Sequence, residues 1–226
     1  MPRLAEFSAF IFDMDGLVLD TEPAYFKAWQ LALESIGLQA DIDFFKSFSG
    51  YRFAQIQQKL IEAFGDDFDI QGFKALANRH WREHVDRYGI DIKQGVVDLL
   101  DYAELNDIPV CIATNSPSLN AHECLMRAGI KHRFPVIVTG DDVEYPKPAP
   151  DIFLKAATQL CVDISNCIVF EDSHTGIVAA SNAGACCAYI PSTFPVNPLT
   201  VAMSDHCFDD LKQLFQSLAR PFVNGI

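Results

Sequence analysis

The sequence lacks the features of membrane, secreted and metal–thiolate proteins. No apolar run approaches the roughly 18–20 residues that a membrane-spanning helix needs, and the N-terminal MPRLAEFSAFIFDMDG has no small-residue cleavage site of the kind that ends a signal peptide. The seven cysteines include no C-x-x-C pair, and most lie in apolar runs such as VCIAT and ACCAYI. We therefore expect free thiols in a reducing compartment, which favours a cytoplasmic protein without membrane contact.

Basic residues are also scarce. Seventeen Lys and Arg stand against thirty Asp and Glu, so the formal net charge is −13 at pH 7. Because an acidic surface repels a phosphate backbone, nucleic acid is not expected as a partner, whereas a small phosphorylated molecule needs only a few local cations. With 50% hydrophobic residues, a chain of 226 residues can form one packed domain with an insertion. We expect a monomer that acts on a small molecule.

Short apolar runs rich in Val, Ile, Phe and Cys predict the strands of a parallel sheet that is covered on both faces. These runs are Ser8–Phe12, Ile108–Ala113, Val136–Thr139, Cys167–Phe170 and Cys186–Ile190. Helical patterns lie between them, at Val96–Leu105, Ser118–Ala128, Asp151–Leu160 and Gly176–Ala183. The alternation of strands and helices from about residue 92 onward predicts a doubly wound α/β domain.

The segment after the first strand has a different character. From Glu22 to about Tyr88 the pattern is helical throughout, and Pro23 suits the first turn of a helix. No convincing strand interrupts it. We therefore predict a core made of residues 1–20 and 92–226, with a helical insertion over residues 21–91.

Acidic residues follow two of the predicted strands. Asp13 and Asp15 come directly after the first strand, and Glu171 and Asp172 follow the strand at Cys167–Phe170. Ligands bind beyond the carboxyl ends of the strands in open α/β sheets, where these side chains can converge. Because neighbouring ionised carboxylates repel each other, they need a cation, and Mg²⁺ prefers oxygen ligands of this kind.

Two further polar clusters also follow strands. Lys147 lies in the sequence YPKPAPD, where prolines on both sides hold it in an extended loop. The sequence Thr114–Ser116, with Asn115 at its centre, joins a strand to a helix and offers hydroxyl, amide and backbone N–H groups to an anion. Each cluster alone is compatible with a helix cap or a solvated loop, but their placement at strand ends of one fold indicates a site.

In combination, these motifs resemble the haloacid dehalogenase superfamily, in its subgroup of β-phosphoglucomutases and small phosphatases. The resemblance covers essentially the whole chain and rests on DMDGLVLDTE, ATNS, KPAPDIF and FEDSHTGIVAASNAG, which occur in that order. It implies a Rossmann-like α/β core with a helical cap domain inserted after the first strand, in agreement with the helical segment found above.

The resemblance implies a role for each core residue. Asp13 resembles the nucleophile that takes up a phosphoryl group, since a carboxylate is ionised at pH 7 without an activating base. Asp15 resembles the general acid/base that protonates the leaving alcohol and then activates the second attacking group. Thr114 and Lys147 resemble the phosphate-binding pair, and Asn115 lies between the hydroxyls of the predicted anion site.

The resemblance also implies a magnesium site. Asp13, Asp172 and the backbone carbonyl of Asp15 match its ligands, and Glu171 matches a residue that lies behind the ligands or joins them. Mg²⁺ at this position lets an anionic substrate approach an anionic attacker. The dehalogenases of the superfamily lack the second aspartate, because a halide needs no proton, so Asp15 favours phosphate esters as substrates.

The segment that determines the substrate is less informative. Gly50, Tyr51 and Arg52 align with the cap loop that touches the substrate in similar proteins, although Arg52 also suits an exposed helix start. Sugar phosphomutases have a histidine early in the first cap helix, where this chain has Tyr25. We therefore predict a magnesium-dependent phosphatase acting on a small phosphorylated metabolite such as a sugar phosphate, with a β-phosphoglucomutase-type mutase as the alternative. A protein that only binds its ligand would be expected to have lost one of these groups.

Overall fold

The computed structural model describes residues 3–48 and 53–219. They form two compact units, one containing the described residues up to Asp20 and from Asp91 onward, the other being Thr21–Ile90. The assignment of the second unit as a substrate-covering cap stays a prediction.

The first unit contains six strands in the part of the chain that the structure describes. They are β1 (Ala9–Phe12), β2 (Val110–Ala113), β3 (Val136–Val138), β4 (Cys167–Glu171), β5 (Cys186–Tyr189) and β6 (His206–Cys207). The α-helices of the described residues, in chain order, are α1 (Glu22–Ser35), α2 (Ile42–Lys46), α3 (Phe53–Phe64), α4 (Ile70–Tyr88), α5 (Val96–Leu105), α6 (Ser118–Arg127), α7 (Asp151–Gln159), α8 (His174–Ala183), α9 (Pro198–Met203) and α10 (Leu211–Leu218).

The strands form one parallel sheet in the order β3-β2-β1-β4-β5-β6. Strand β1 lies at its centre, with Phe10 opposite both Val110 of β2 and Ile168 of β4. All residues of β1, β2 and β4 are buried, as expected for strands with helices on both faces. The predicted Rossmann-like α/β class is confirmed, and the parallel arrangement brings the carboxyl ends of β1, β2 and β4 together at one edge.

The second unit is helical over its described residues. Helix α1 packs along α4, and Pro23 occupies the first turn of α1 as predicted. The N-terminus of α4 is capped by the carboxylate of Asp69, which accepts a hydrogen bond from the N–H of Gly72 at 2.9 Å. An aromatic and aliphatic core that includes Phe45 and Phe73 holds these helices together.

The sequence pattern located β1 to β5 within about two residues of their observed bounds, and α2 lies in the segment predicted to be helical. β6 and the helices α9 and α10 were not predicted. Strand β6 has two residues, one of which is exposed, so it produces no apolar run. None of the helices within residues 3–48 and 53–219 is long and apolar enough to cross a membrane.

Candidate active site

Three loops and the end of β4 bring the predicted core residues together at the carboxyl edge of the sheet. Asp13 follows β1, Thr114 follows β2, Glu171 is the last residue of β4, and Lys147 lies on the loop between β3 and α7. These side chains are buried, with only 7% of Asp13 and 3% of Lys147 exposed. Charged groups are rarely this buried without partners, so each one must be compensated locally.

The ammonium group of Lys147 lies at the centre of this arrangement. It donates hydrogen bonds to Asp13 Oδ1 at 2.5 Å, to Glu171 Oε1 at 2.6 Å and to the carbonyl oxygen of Ala113 at 2.8 Å. Burial alone lowers the pKa of an ammonium group, but the carboxylates of Asp13 and Glu171 outweigh it and raise the pKa of Lys147 above its usual value. Lys147 is therefore a fixed positive charge beside the carboxylate of Asp13.

The carboxylates outnumber the cations in this site. Burial, aided by the carboxylates of Glu171 and Asp15 and opposed by Lys147, raises the pKa of Asp13 to about 8. Burial and the carboxylates of Glu171 and Asp13 also raise the pKa of Asp172 well above its usual value. Ionising both Asp13 and Asp172 thus requires more positive charge than Lys147 supplies.

The oxygen atoms of the site are suited to a hard divalent cation. Carboxylates of the Asp13 and Asp172 kind are the ligands that Mg²⁺ prefers, and a divalent ion would provide the missing positive charge. Among the described residues, no group of three or more His, Cys, Asp and Glu side chains forms a ready metal cage. Mg²⁺ does not need such a cage, because it keeps several waters and uses substrate phosphate oxygens as further ligands.

Asp172 is held by two features that the sequence analysis did not identify. Its Oδ2 accepts a hydrogen bond from the hydroxyl of Ser192 at 2.5 Å. Gly16 leaves room for the same oxygen, since a Cβ at this position would overlap Oδ2, and its φ of +83° favours glycine independently. The DMDG motif could have revealed the glycine, but no sequence signal pointed to Ser192 in the loop after β5.

Glu171 is bonded to the protein through both carboxylate oxygens. Lys147 donates to Oε1, and the backbone N–H and hydroxyl of Ser173 each donate to Oε2 at 2.9 Å. The lack of a side chain at Gly176 makes room for this carboxylate, because a Cβ there would overlap it. The geometry is that of a residue that holds Lys147 in place.

Hydroxyl groups hold the side chain of Asp15. Ser116 Oγ donates to Asp15 Oδ2 at 2.7 Å, and Thr114 Oγ1 lies 3.5 Å from the same oxygen. The N–H of Ser116 donates to Thr114 Oγ1 at 3.1 Å, which fixes the threonine hydroxyl in turn. The segment predicted to bind an anion therefore also orients the second aspartate.

The side chain of Asn115 contacts the backbone of Lys147. Its Oδ1 accepts from the N–H of Lys147 at 2.9 Å, and its Nδ2 donates to the carbonyl of Lys147 at 3.2 Å. The sequence predicts that Asn115 binds phosphate, but the oxygen and the nitrogen of its amide both bond to the backbone of Lys147.

The cap residues predicted to contact substrate, Gly50, Tyr51 and Arg52, lie outside the described residues. Within the helical unit, Tyr25 is half-buried and its ring stacks on Trp81, with 5.7 Å between the ring centroids. The position at which sugar phosphomutases have a histidine is therefore part of an aromatic cluster in this chain.

Comparisons with known proteins identify a family model and similar phosphatases. Residues 10–190 match the family model for haloacid dehalogenase-like hydrolases. The chain is 36% identical over 186 residues to a fructose-1-phosphate phosphatase of Escherichia coli, covering 79% of this chain and 93% of that protein. It is 34% identical over 176 residues to a phosphorylated carbohydrates phosphatase of Thermotoga maritima, covering 78% and 81% of the two chains.

The fold is similar to that of a solved β-phosphoglucomutase from Clostridium difficile. The two structures share a TM-score of 0.73 and 26% sequence identity, covering 94% of this chain and 96% of the other. The enzyme class expected from the motifs, a phosphoric monoester hydrolase of this type, is confirmed by the family match and the phosphatase relatives. The chain belongs to the haloacid dehalogenase-like hydrolase family.

Proposed function

We propose that this protein is a magnesium-dependent phosphatase that hydrolyses a small sugar phosphate through a phosphorylated Asp13. The observation that carries the proposal is the buried carboxylate of Asp13, held 2.5 Å from the ammonium of Lys147, with Asp15 two residues away and oriented by hydroxyl groups. A fixed nucleophile beside a fixed cation and a second carboxylate is what phosphoryl transfer to a carboxylate requires.

In the first step, an oxygen of Asp13 attacks the phosphorus atom, and the bond between phosphorus and the sugar oxygen breaks. Asp15 donates its proton to that oxygen, so the sugar leaves as an alcohol. Lys147 stabilises the negative charge on the transferring group, and Glu171 keeps the ammonium in place from the other side.

In the second step, Asp15 has become a carboxylate and removes a proton from a water molecule. The water oxygen attacks phosphorus, the bond to Asp13 breaks, and phosphate is released with the nucleophile restored. The hydrogen bond from Ser116 to Asp15 supports both steps, because it keeps the carboxyl group oriented while its protonation state changes.

Asp13, Asp172 and the backbone carbonyl of Asp15 are the groups that would hold Mg²⁺. When bound, the ion neutralises the charge between the nucleophile and the phosphate. Ser192 orients the carboxylate of Asp172, and Glu171 remains with Lys147 rather than joining the ligands.

Sugar phosphates are the substrate class that the relatives favour, since one is named for fructose 1-phosphate and another for phosphorylated carbohydrates. The structural similarity to a β-phosphoglucomutase keeps a phosphomutase as the second candidate. In a mutase, a sugar hydroxyl replaces water as the second attacking group. Tyr25 supports the phosphatase, because it replaces the histidine of the sugar phosphomutases and a phenol is a poorer base than an imidazole.

Hydrolysis and mutase activity are distinguished by the product. With Mg²⁺ and hexose phosphates that include fructose 1-phosphate, we expect release of inorganic phosphate, because water attacks the phosphorylated Asp13. In ¹⁸O-labelled water, mass spectrometry should find one labelled oxygen in the phosphate, since attack occurs at phosphorus. Fast interconversion of glucose 1-phosphate and glucose 6-phosphate with little phosphate release would instead favour the mutase.

Replacement of Ser192 by alanine tests the metal proposal. We expect Ser192→Ala to raise the Mg²⁺ concentration for half-maximal activity about tenfold, because residues that orient ligand carboxylates typically contribute this much to metal affinity. Ser204→Ala is the matched control, since its exposed hydroxyl also makes one hydrogen bond, to the carbonyl of Val201. Isothermal titration with Mg²⁺ should show the same difference, and equal affinity in the two variants would contradict a positioning role for Ser192.

A further inference from the structure

The loop that carries Lys147 is poor in backbone hydrogen-bond donors. Proline has no N–H, so the flanking Pro146 and Pro148 leave the N–H of Lys147 as the only backbone donor within these three residues. The loop also follows β3 without being part of a strand. A sheet ladder therefore does not hold Lys147, although its ammonium group has to reach the centre of the site.

Asn115 supplies the missing anchor. Its amide oxygen accepts a hydrogen bond from the N–H of Lys147 at 2.9 Å, and its amide nitrogen donates to the carbonyl of Lys147 at 3.2 Å. Two hydrogen bonds to one peptide unit fix both the position and the orientation of the backbone, much as a neighbouring strand does. Only one orientation of the amide satisfies both bonds, so the pairing also determines the rotamer of Asn115.

The backbone on both sides of Asn115 is held by neighbouring elements. The N–H of Thr114 donates to the carbonyl of Val138 in β3 at 3.0 Å, and the N–H of Gly140 donates to the carbonyl of Ser116 at 3.2 Å. A Cβ at Gly140 would lie 2.6 Å from the carbonyl oxygen of Asn115, so the two loops are in close contact. Asn115 thus fixes the loop that carries Lys147 to the sheet.

Anchoring matters because lysine is a long side chain with several rotatable bonds. Its ammonium group makes its three hydrogen bonds to Asp13, Glu171 and Ala113 only if its Cα is in the right place. A misplacement of about 1 Å at a reacting group can cost about 100-fold in rate.

We propose that Asn115 is a positioning residue, whose side chain anchors the backbone of Lys147 and thereby holds the ammonium group against the nucleophile Asp13. The effect of Asn115 on catalysis rests on the proposed function, but its role in holding the backbone of Lys147 does not. The side chain of Asn115 then serves the phosphate site indirectly, through Lys147, and contact with phosphate is left to other groups of the segment.

The test removes the two hydrogen bonds and measures the position of Lys147 without substrate. Asn115→Ala and Asn115→Leu both remove the amide, and leucine keeps the branched shape of the side chain if alanine fails to fold. Asn106→Ala is the matched control, because Asn106 also bonds a backbone carbonyl through its amide, that of Tyr102 at 2.8 Å, at the end of α5. Crystal structures of the substrate-free variants give the distance between Lys147 Nζ and Asp13 Oδ1.

We expect both Asn115 variants to lose this hydrogen bond and the control to keep it. kcat/KM should fall about 10- to 100-fold in the Asn115 variants and stay within about twofold in the control. An unchanged Lys147 in either Asn115 variant would overturn the proposal, whatever the activity. If Lys147 moves but wild-type protein releases phosphate from no substrate, the anchor stands and the proposed function fails.

Discussion

Replacing Asp13 by asparagine is expected to lower kcat/KM by at least about 1,000-fold, which corresponds to about 4 kcal/mol of transition-state stabilisation. An amide nitrogen or neutral carbonyl oxygen cannot form the phosphorylated carboxyl group on which both proposed steps depend. The measurement is phosphate release from the best hexose phosphate in the presence of Mg²⁺, with enzyme concentrations high enough to detect 0.1% residual rates, i.e. the ~1,000-fold reduction.

The same substitution is expected to leave the fold intact. Lys147 keeps Glu171 as an ionic partner at 2.6 Å, and the asparagine still offers an oxygen acceptor to the ammonium group. Burial and the carboxylates of Glu171 and Asp15 disfavour the charged form of Asp13, so a neutral asparagine removes an unfavourable charge from this position. The melting temperature should therefore equal or exceed that of the wild type.

Asp98→Asn provides the control for the charge change. Asp98 is exposed in the first turn of α5, so its loss should change stability by only a few tenths of a kcal/mol and leave turnover unaffected. More than about 1% residual activity in Asp13→Asn, with the control fully active, would rule out Asp13 as the nucleophile.

Sequence patterns were sufficient for five of the six described strands and for the convergence of the site. Strands β1 to β5 are apolar on both faces, so each is visible as a short apolar run, and parallel strands must end at the same edge. The sequence alone therefore predicts that Asp13, Thr114 and Glu171 lie near each other. β6 was missed because His206 and Cys207 form no apolar run.

The hydrogen bonds between loops could not be predicted in the same way. Asn115 and Lys147 are 32 residues apart, and Asp172 and Ser192 are 20 residues apart. Loops have no periodicity, so nothing in the sequence indicates which polar side chain of one loop meets the backbone or carboxylate of another. Helix and strand patterns thus locate the charged groups, whereas the contacts that orient them depend on loop conformation.

Removal of divalent metal is expected to have the second largest effect, a loss of at least about 100-fold in activity that added Mg²⁺ restores. Four carboxyl groups, those of Asp13, Asp15, Glu171 and Asp172, lie in the site, and the ammonium group of Lys147 bonds to two of them, Asp13 and Glu171. Because the pKa values of Asp13 and Asp172 are raised, these groups need a divalent cation beside them to be ionised at neutral pH, and Asp13 needs its charge to attack phosphorus. The assay compares phosphate release in excess EDTA with release after Mg²⁺ is added back.

Metal binding can be measured separately from activity. Asp172→Asn should weaken Mg²⁺ binding at least about tenfold in calorimetric titrations without substrate, because it removes a charged ligand oxygen. Asp98→Asn again serves as the control, with the same change in net charge at a distant surface position. Equal Mg²⁺ affinity in the two variants would exclude Asp172 from the metal site.

Calcium is expected to bind without restoring turnover. It takes six to eight oxygen ligands at longer distances than the near-octahedral set of Mg²⁺. If Asp13 supplied the additional ligand with its second carboxylate oxygen, that oxygen would be withdrawn from attack on phosphorus. Ca²⁺ should therefore compete with Mg²⁺ and inhibit.

Full turnover in excess EDTA would contradict the metal proposal. It would mean that Lys147 alone neutralises the site, and the four carboxyl groups would then need another explanation.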